Sequence, residues 1–196
     1  KYLRPWVKKK KAWAQANMAD KYMRGAGVKQ SYEMAKRLYE LSAEQGYASA
    51  TFDLGTMYHT GDGVIEQSYE RAVEYYEQAA HLGYGKAQFN LGLMYEKGVG
   101  VPQSYARARE LYLLAADQSY SIALGNLGGL YANGFGVQQD LTKARELLDK
   151  ALAMGNEDAI GALQKLDDIE REAAALDPNA IVCSLCGLPE TETRNF

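Results

Sequence analysis

The sequence predicts an all-α solenoid of about four stacked helix-turn-helix units, ended by a C-terminal capping helix. Three observations predict it. The pattern Gly-x-Gly-Val occurs at Gly25-Ala26-Gly27-Val28, Gly61-Asp62-Gly63-Val64, Gly98-Val99-Gly100-Val101 and Gly134-Phe135-Gly136-Val137. These sites stand 36, 37 and 36 residues apart, a period that signals stacked helical repeats. Between them, apolar residues recur at helical spacing, and like residues fall in like slots of each unit. An array of this kind presents a long surface rather than one enclosed pocket.

The second unit shows how the elements follow. Leu54, Met57 and Tyr58 stand at i, i+3 and i+4, which puts an apolar stripe on a first helix. Gly61 and Gly63 stop it, because glycine takes the left-handed backbone at little steric cost. A second helix runs through Ala72, Tyr75, Tyr76, Ala79 and Ala80, and Gly83 closes it. One extra residue between Gly63 and Ala72 accounts for the longer spacing and falls in the turn.

The slots carry a packing logic. Ala35, Ala72, Ala108 and Ala144 share a position on the second helices. Gly55, Gly92 and Gly128 share one on the first helices, with Ala19 in the first unit. Mid-helix glycine costs about 1 kcal/mol relative to alanine, so its recurrence implies that another helix approaches closely there. Tyr22, Tyr58, Tyr95 and Tyr131 form an aromatic stripe, and Tyr39, Tyr76 and Tyr112, with Leu148, form another. Such stripes read as core.

The units are placed at 14–49, 50–86, 87–122 and 123–158, with residues 1–13 a basic segment or the tail of an upstream helix. Residues 160–176 form the capping helix, in which Leu163 and Leu166 keep the stripe while Gln164 and Asp167 replace glycine and tyrosine. Asp177-Pro178 ends it, leaving a tail over 177–196. At the other end, Lys21 stands in the slot of Met57, Met94 and Leu130, as a solvent-facing cap requires. Lys8-Lys9-Lys10-Lys11 reads as a solvated charge run or as a nuclear-localisation or anion contact.

Composition narrows the function classes. A net charge of −3 argues against a nucleic-acid partner. No run approaches the roughly 18 apolar residues of a membrane span. Cys183 and Cys186 are the two cysteines, so no disulfide framework supports the repeats. This usage suggests the cytoplasm or nucleus. The chain begins at Lys1, and an N-terminal targeting segment can precede it. His59 and His81 stand at helix ends and read as surface residues rather than acid–base catalysts. Each Gly-x-Gly follows a helix, so none reads as a phosphate loop, and the expectation is a non-enzymatic protein.

The slots resemble the Sel1-like repeat, a relative of the tetratricopeptide repeat. The third unit carries the pattern in Ala87, Leu91-Gly92, Met94-Tyr95, Gly98-Val99-Gly100-Val101, Ala108, Tyr112, Ala115-Ala116 and Ala123, with Ser119 where glycine is expected. The resemblance spans about residues 12–160 and implies an adaptor or scaffold within larger assemblies. By analogy with tetratricopeptide arrays, the first helices line the binding face. Phe52, Thr56, His59, Phe89, Leu93 and Glu96 then become the candidate partner-binding residues for a helix or extended peptide. Packing between units is the alternative for Phe52 and Phe89. Asn17, Asp53, Asn90 and Asn126 form a ladder that would grip a peptide backbone or satisfy loop amides of a neighbouring unit.

Cys183-Ser184-Leu185-Cys186-Gly187 has the C-x-x-C spacing of a zinc knuckle. A redox dithiol is the competing reading, and no βαβ pattern accompanies it. The tail resembles the opening of a MYND-type zinc finger, which implies that Cys183 and Cys186 are the first ligand pair of a zinc site completed elsewhere in a longer protein. No cofactor is expected in this chain itself. Some proteins that pair Sel1-like repeats with such a finger also carry an F-box, which makes a ubiquitin-ligase substrate adaptor the alternative function. A structural or assembly subunit is a second alternative.

Overall fold

The computed structural model describes residues 11–62 and 65–176. Among them lie nine α-helices and no strand. They are α1 (Ala12–Arg24), α2 (Tyr32–Ala43), α3 (Ala48–Thr60), α4 (Tyr69–His81), α5 (Gly85–Lys97), α6 (Tyr105–Asp117), α7 (Ser121–Asn133), α8 (Leu141–Ala153) and α9 (Asp158–Leu176). The pairs α1–α2, α3–α4, α5–α6 and α7–α8 are the four units, and each second helix packs on the first helix of the next unit. α9 packs on α8 and α7, which makes the chain an all-α solenoid with a capping helix. The tail 177–196, with Cys183 and Cys186, lies outside the described residues, as do residues 1–10.

The same local chemistry builds each unit. Ser31, Ser68, Ser104 and Asp140 hold an extended backbone before the second helices, and their side chains accept from the amides of Met34, Arg71, Arg107 and Lys143. Each such N-cap is worth about 1 kcal/mol. Gly25, Gly61, Gly98 and Gly134 end the first helices in the left-handed conformation and return their amides to Lys21, Met57, Met94 and Leu130 carbonyls. The residue before each N-cap completes the turn. Nε2 of Gln30, Gln67, Gln103 and Gln139 donates at 2.8 Å to the carbonyls of Met23, His59, Glu96 and Ala132. In the first three units the same amide lies 3.0–3.1 Å from the hydroxyl of Tyr32, Tyr69 or Tyr105. The loop therefore satisfies carbonyls that the helix end leaves without an intrahelical donor.

The recurrent glycine has the packing cause its spacing implies. A Cβ on Gly55 would lie 2.7 Å from the Tyr76 ring, on Gly92 2.6 Å from Tyr112, and on Gly128 2.8 Å from Leu148. Tyr76 and Tyr112 are 1% and 0% exposed, so the stripe is core. Ala35, Ala72, Ala108 and Ala144 on the same helices are fully buried as well. The other aromatic stripe makes contacts both within and between units. Tyr58 stacks on Tyr75 of its own unit with centroids 5.5 Å apart, and the Tyr95 hydroxyl donates to Glu77 of the preceding unit at 3.1 Å.

The ends differ as caps should. Lys21 is exposed, and Trp13, in the first turn of α1, is 38% exposed. At the other end, Arg145 on α8 reaches Asp167 at 2.5 Å and Glu170 at 2.8 Å on α9, while Leu166 is 1% exposed. Asp167, which replaces the stripe tyrosine, thus makes an ion pair at the end of the stack.

Candidate functional site

Two cavities open beside the first helices, at the same place in consecutive units. The first, of about 260 Å³, is lined among others by Tyr32, Asp53, Thr56, Met57 and Asp62. The second, of about 400 Å³, is lined by the residues 37 positions on: Tyr69, Asn90, Leu93, Met94 and Val99. The backbone plan repeats, and the chemistry changes through Asp53/Asn90, Thr56/Leu93 and Asp62/Val99. Asp20, Met23, Arg24 and Tyr39 complete the first cavity, and His59 and Lys97 the second.

The second-helix tyrosines set the floor. The Tyr112 hydroxyl donates at 2.5 Å to Oε2 of Glu96 and accepts at 3.1 Å from Nδ2 of Asn126 in the next unit. Tyr76 repeats this with Thr56, at 3.4 Å, and with Asn90. Tyr39 donates to Asp20 and faces Asp53. Burial raises all three hydroxyls above the ordinary phenol range, and hydrogen bonding to Asp20 and Glu96 reinforces this for Tyr39 and Tyr112. The ladder of Asn90 and Asn126 thus holds the preceding unit's tyrosine, a partner different from the loop amides expected for it. Asn17, in the first unit, donates instead to the Trp13 carbonyl at 2.8 Å.

Asp53 is the exception in that ladder. Burial pushes its carboxyl up to about 7 and the charge of Asp20 adds to this, while Lys86, Ser49 and Arg24 oppose it. An acid here stands where the other units have asparagine.

The sequence-selected residues separate into two groups. Phe52 packs on Tyr76 and Tyr84 with centroids 5.4 and 5.3 Å away, and Phe89, 8% exposed, packs on Tyr112 and Tyr120 at 5.7 and 5.0 Å. Both rings bridge a unit to the start of the next. Thr56 and Glu96 hold tyrosine hydroxyls. His59 and Leu93 meet in the second cavity. His81 is exposed, but His59 departs from the surface reading: its ring lies edge-on to Tyr69 at 5.4 Å, and Nδ1 is buried without a hydrogen-bond partner. Asp20, Tyr39, Tyr69, Met94 and Lys97 were not singled out from the sequence as site residues. Asp53 was visible as the one acid in an asparagine slot.

Among the described residues, no group of three His, Cys, Asp or Glu side chains is placed to hold a metal ion. No described helix is long and apolar enough to cross a membrane.

The Sel1 repeat profile matches residues 14–47, 48–84, 85–120 and 121–156. Among solved structures, a protective antigen of uropathogenic Escherichia coli with an SLR fold superposes with a TM-score of 0.79 at 34% identity. The match covers 83% of this chain and 34% of that one. A Sel1 repeat protein from Oxalobacter formigenes gives 0.74 at 31% identity, covering 77% of this chain and 62% of that one. The chain therefore spans less than two thirds of the length of either. An immunity protein from Pseudomonas aeruginosa, at 22% identity and a TM-score of 0.54, shares the fold. No curated protein sequence matches the chain significantly. Four matched units, each coinciding with one helix pair and its Gly-x-Gly turn, place this chain in the Sel1 repeat family.

Proposed function

We propose that this chain is a non-enzymatic adaptor that holds a segment of a partner protein against the face of its first helices. Sel1 repeat proteins are generally protein-interaction scaffolds, and the finer assignment of face and residues belongs to this proposal. The cavity at His59 and Leu93 supports it most directly. It joins an apolar wall of Leu93, Met94 and Val99 to the polar residues Asn90, Lys97 and His59. That mixture suits a peptide, whose side chains fill apolar space while its backbone meets polar groups.

The test is Leu93→Asp. Its slot holds Thr56 and Gly129 in neighbouring units, so the helix tolerates a small or polar residue there. Proteins captured by the wild-type chain should be lost by Leu93→Asp while circular dichroism stays unchanged. Equal capture by both, or turnover of a substrate by the isolated chain, would overturn the reading. On their spacing alone, Cys183 and Cys186 are kept in the proposal as a zinc-ligand pair. Zinc titration of the chain against a double Cys→Ser variant tests that part.

A further inference from the structure

Lys36, Val73, Arg109 and Arg145 share one slot on the second helices. Two of the three cations are paired within the chain. Lys36 meets Glu40, one turn on, at 3.2 Å. Arg145 meets Asp167 and Glu170 on the following helix. Arg109 has neither kind of partner. Leu113 stands one turn on, and the residues matching Asp167 and Glu170 are Tyr131 and Gly134. Among the described residues nothing pairs with Arg109, and its Nε is buried without a hydrogen-bond partner. The residue as a whole is half-buried, so the stem is held by packing while the terminal nitrogens remain open to solvent.

The slot one turn on holds Glu40, Glu77, Leu113 and Asp149, so the third unit has a leucine where the others have an acid. Leu113 is 45% exposed, and Leu114 beside it is 50% exposed. Both line a groove of about 360 Å³ between α4 and α6, together with the buried Leu91 and Leu111. The other charges of this groove are engaged. Glu77 accepts from the Tyr95 hydroxyl, and Arg107 pairs with Glu110 at 2.7 Å. Residues four apart share a helix face, as the Lys36–Glu40 contact shows for these two slots. An apolar groove therefore adjoins a guanidinium that lacks a counter-charge. An incoming carboxylate would give Arg109 what Glu40 gives Lys36, and an apolar side chain beside it would cover the leucines.

We propose that this crest of α6 is a second docking surface, taking an acidic amphipathic helix of a partner protein. A carboxylate of that helix pairs with the terminal nitrogens of Arg109. Its large apolar side chains enter the groove at Leu113 and Leu114. The surface belongs to the second helices and stands independently of the first-helix face.

Panning the immobilised chain with random peptides of about sixteen residues, some four helical turns, tests it. Excess soluble Leu113→Glu chain is added as competitor. That variant restores the acid of Glu40 and Glu77, gives Arg109 a partner one turn away, and alters an exposed side chain, so it keeps the fold. It removes peptides that bind any other face. The peptides that survive should carry Asp or Glu three or four residues from Leu, Ile, Met or Phe. Their binding should weaken on the order of fivefold in Arg109→Gln, and should weaken with added salt. Leu93→Asp, on the first-helix face, should bind them as wild type. Valine occupies the Arg109 slot in the second unit, so Arg109→Gln should leave the circular dichroism unchanged. No surviving peptide, survivors that are basic or uncharged, or Arg109→Gln binding equal to wild type each overturn the inference. So does binding that Leu93→Asp abolishes and Arg109→Gln leaves intact.

Discussion

Asn126 donates to the hydroxyl of Tyr112 across 3.1 Å, and this bond carries one repeat onto the next. Tyr112 in turn donates to Glu96 within its own unit at 2.5 Å. One buried hydroxyl therefore joins three helices, α5, α6 and α7. Tyr112→Phe leaves both Glu96 and Asn126 without this partner, and should cost about 1–3 kcal/mol. Asn126→Ala leaves the Tyr112–Glu96 bond intact and should cost about 1 kcal/mol. Urea unfolding of both variants checks the order. Equal losses would show that the Glu96 bond contributes little.

Two glycines of similar helical setting should respond oppositely to alanine. A Cβ on Gly92 would lie 2.6 Å from the Tyr112 ring, whereas one on Gly129 meets nothing within 4 Å. Gly92→Ala forces a buried aromatic to move, a penalty of about 1–3 kcal/mol, partly offset by better helix propensity. Gly129→Ala gains that propensity without a clash and should stabilise by about 0.5–1 kcal/mol. The thermal midpoint should fall in the first variant and rise in the second.

Ser119 is the non-glycine residue with positive φ among the described residues, at 65°. The equivalent turns use Gly46, Gly83 and Gly155. The left-handed backbone costs a side-chain-bearing residue about 1–2 kcal/mol, and Ser119 is exposed. Ser119→Gly should therefore stabilise the chain by about 1 kcal/mol, with part of the gain lost to the freer unfolded chain. A variant less stable than wild type would show that the serine side chain makes a compensating contact.

Asp53 gives stability a definite pH slope. Its carboxyl is pushed up to about 7 in the folded chain, against an ordinary aspartate value of about 3.9 when unfolded. Between these values the folded state binds more protons than the unfolded state. This contribution to stability is full below about pH 4 and is lost as pH rises through about 7. Asp53→Asn should flatten that part of the slope and raise stability at pH 8, by on the order of 1–3 kcal/mol. Denaturant midpoints at pH 5 and pH 8 for both chains measure it. A slope unchanged by the substitution would place the titrating group elsewhere.

The fold was legible because the repeat compares the sequence with itself. Gly92 and Tyr112 occupy slots shared with other units, and a recurring mid-helix glycine opposite a recurring ring has few explanations other than close packing. The site was less legible. Phe52 and Phe89 lie on the predicted face, yet their rings turn onto Tyr84 and Tyr120, the N-caps of the next first helices. Side-chain direction of that kind depends on inter-unit geometry, which spacing alone does not encode. His59 read as a surface residue because its position ends a helix, but Tyr69 from the following helix covers it. The Gln-Ser-Tyr triplets at 30–32, 67–69 and 103–105 were visible in the sequence. Their role required seeing the glutamine amide reach back to the helix end.

Trp13 sits at the exposed start of α1. In a Trp6→Phe chain, indole emission therefore reports on one extremity of the stack, whereas far-ultraviolet dichroism averages over every helix. In a one-dimensional array the two signals coincide only if the junctions between neighbours are strong enough to make melting collective. The gap between the two midpoints is then an optical gauge of how firmly the tyrosine–asparagine junctions bind each unit to the next.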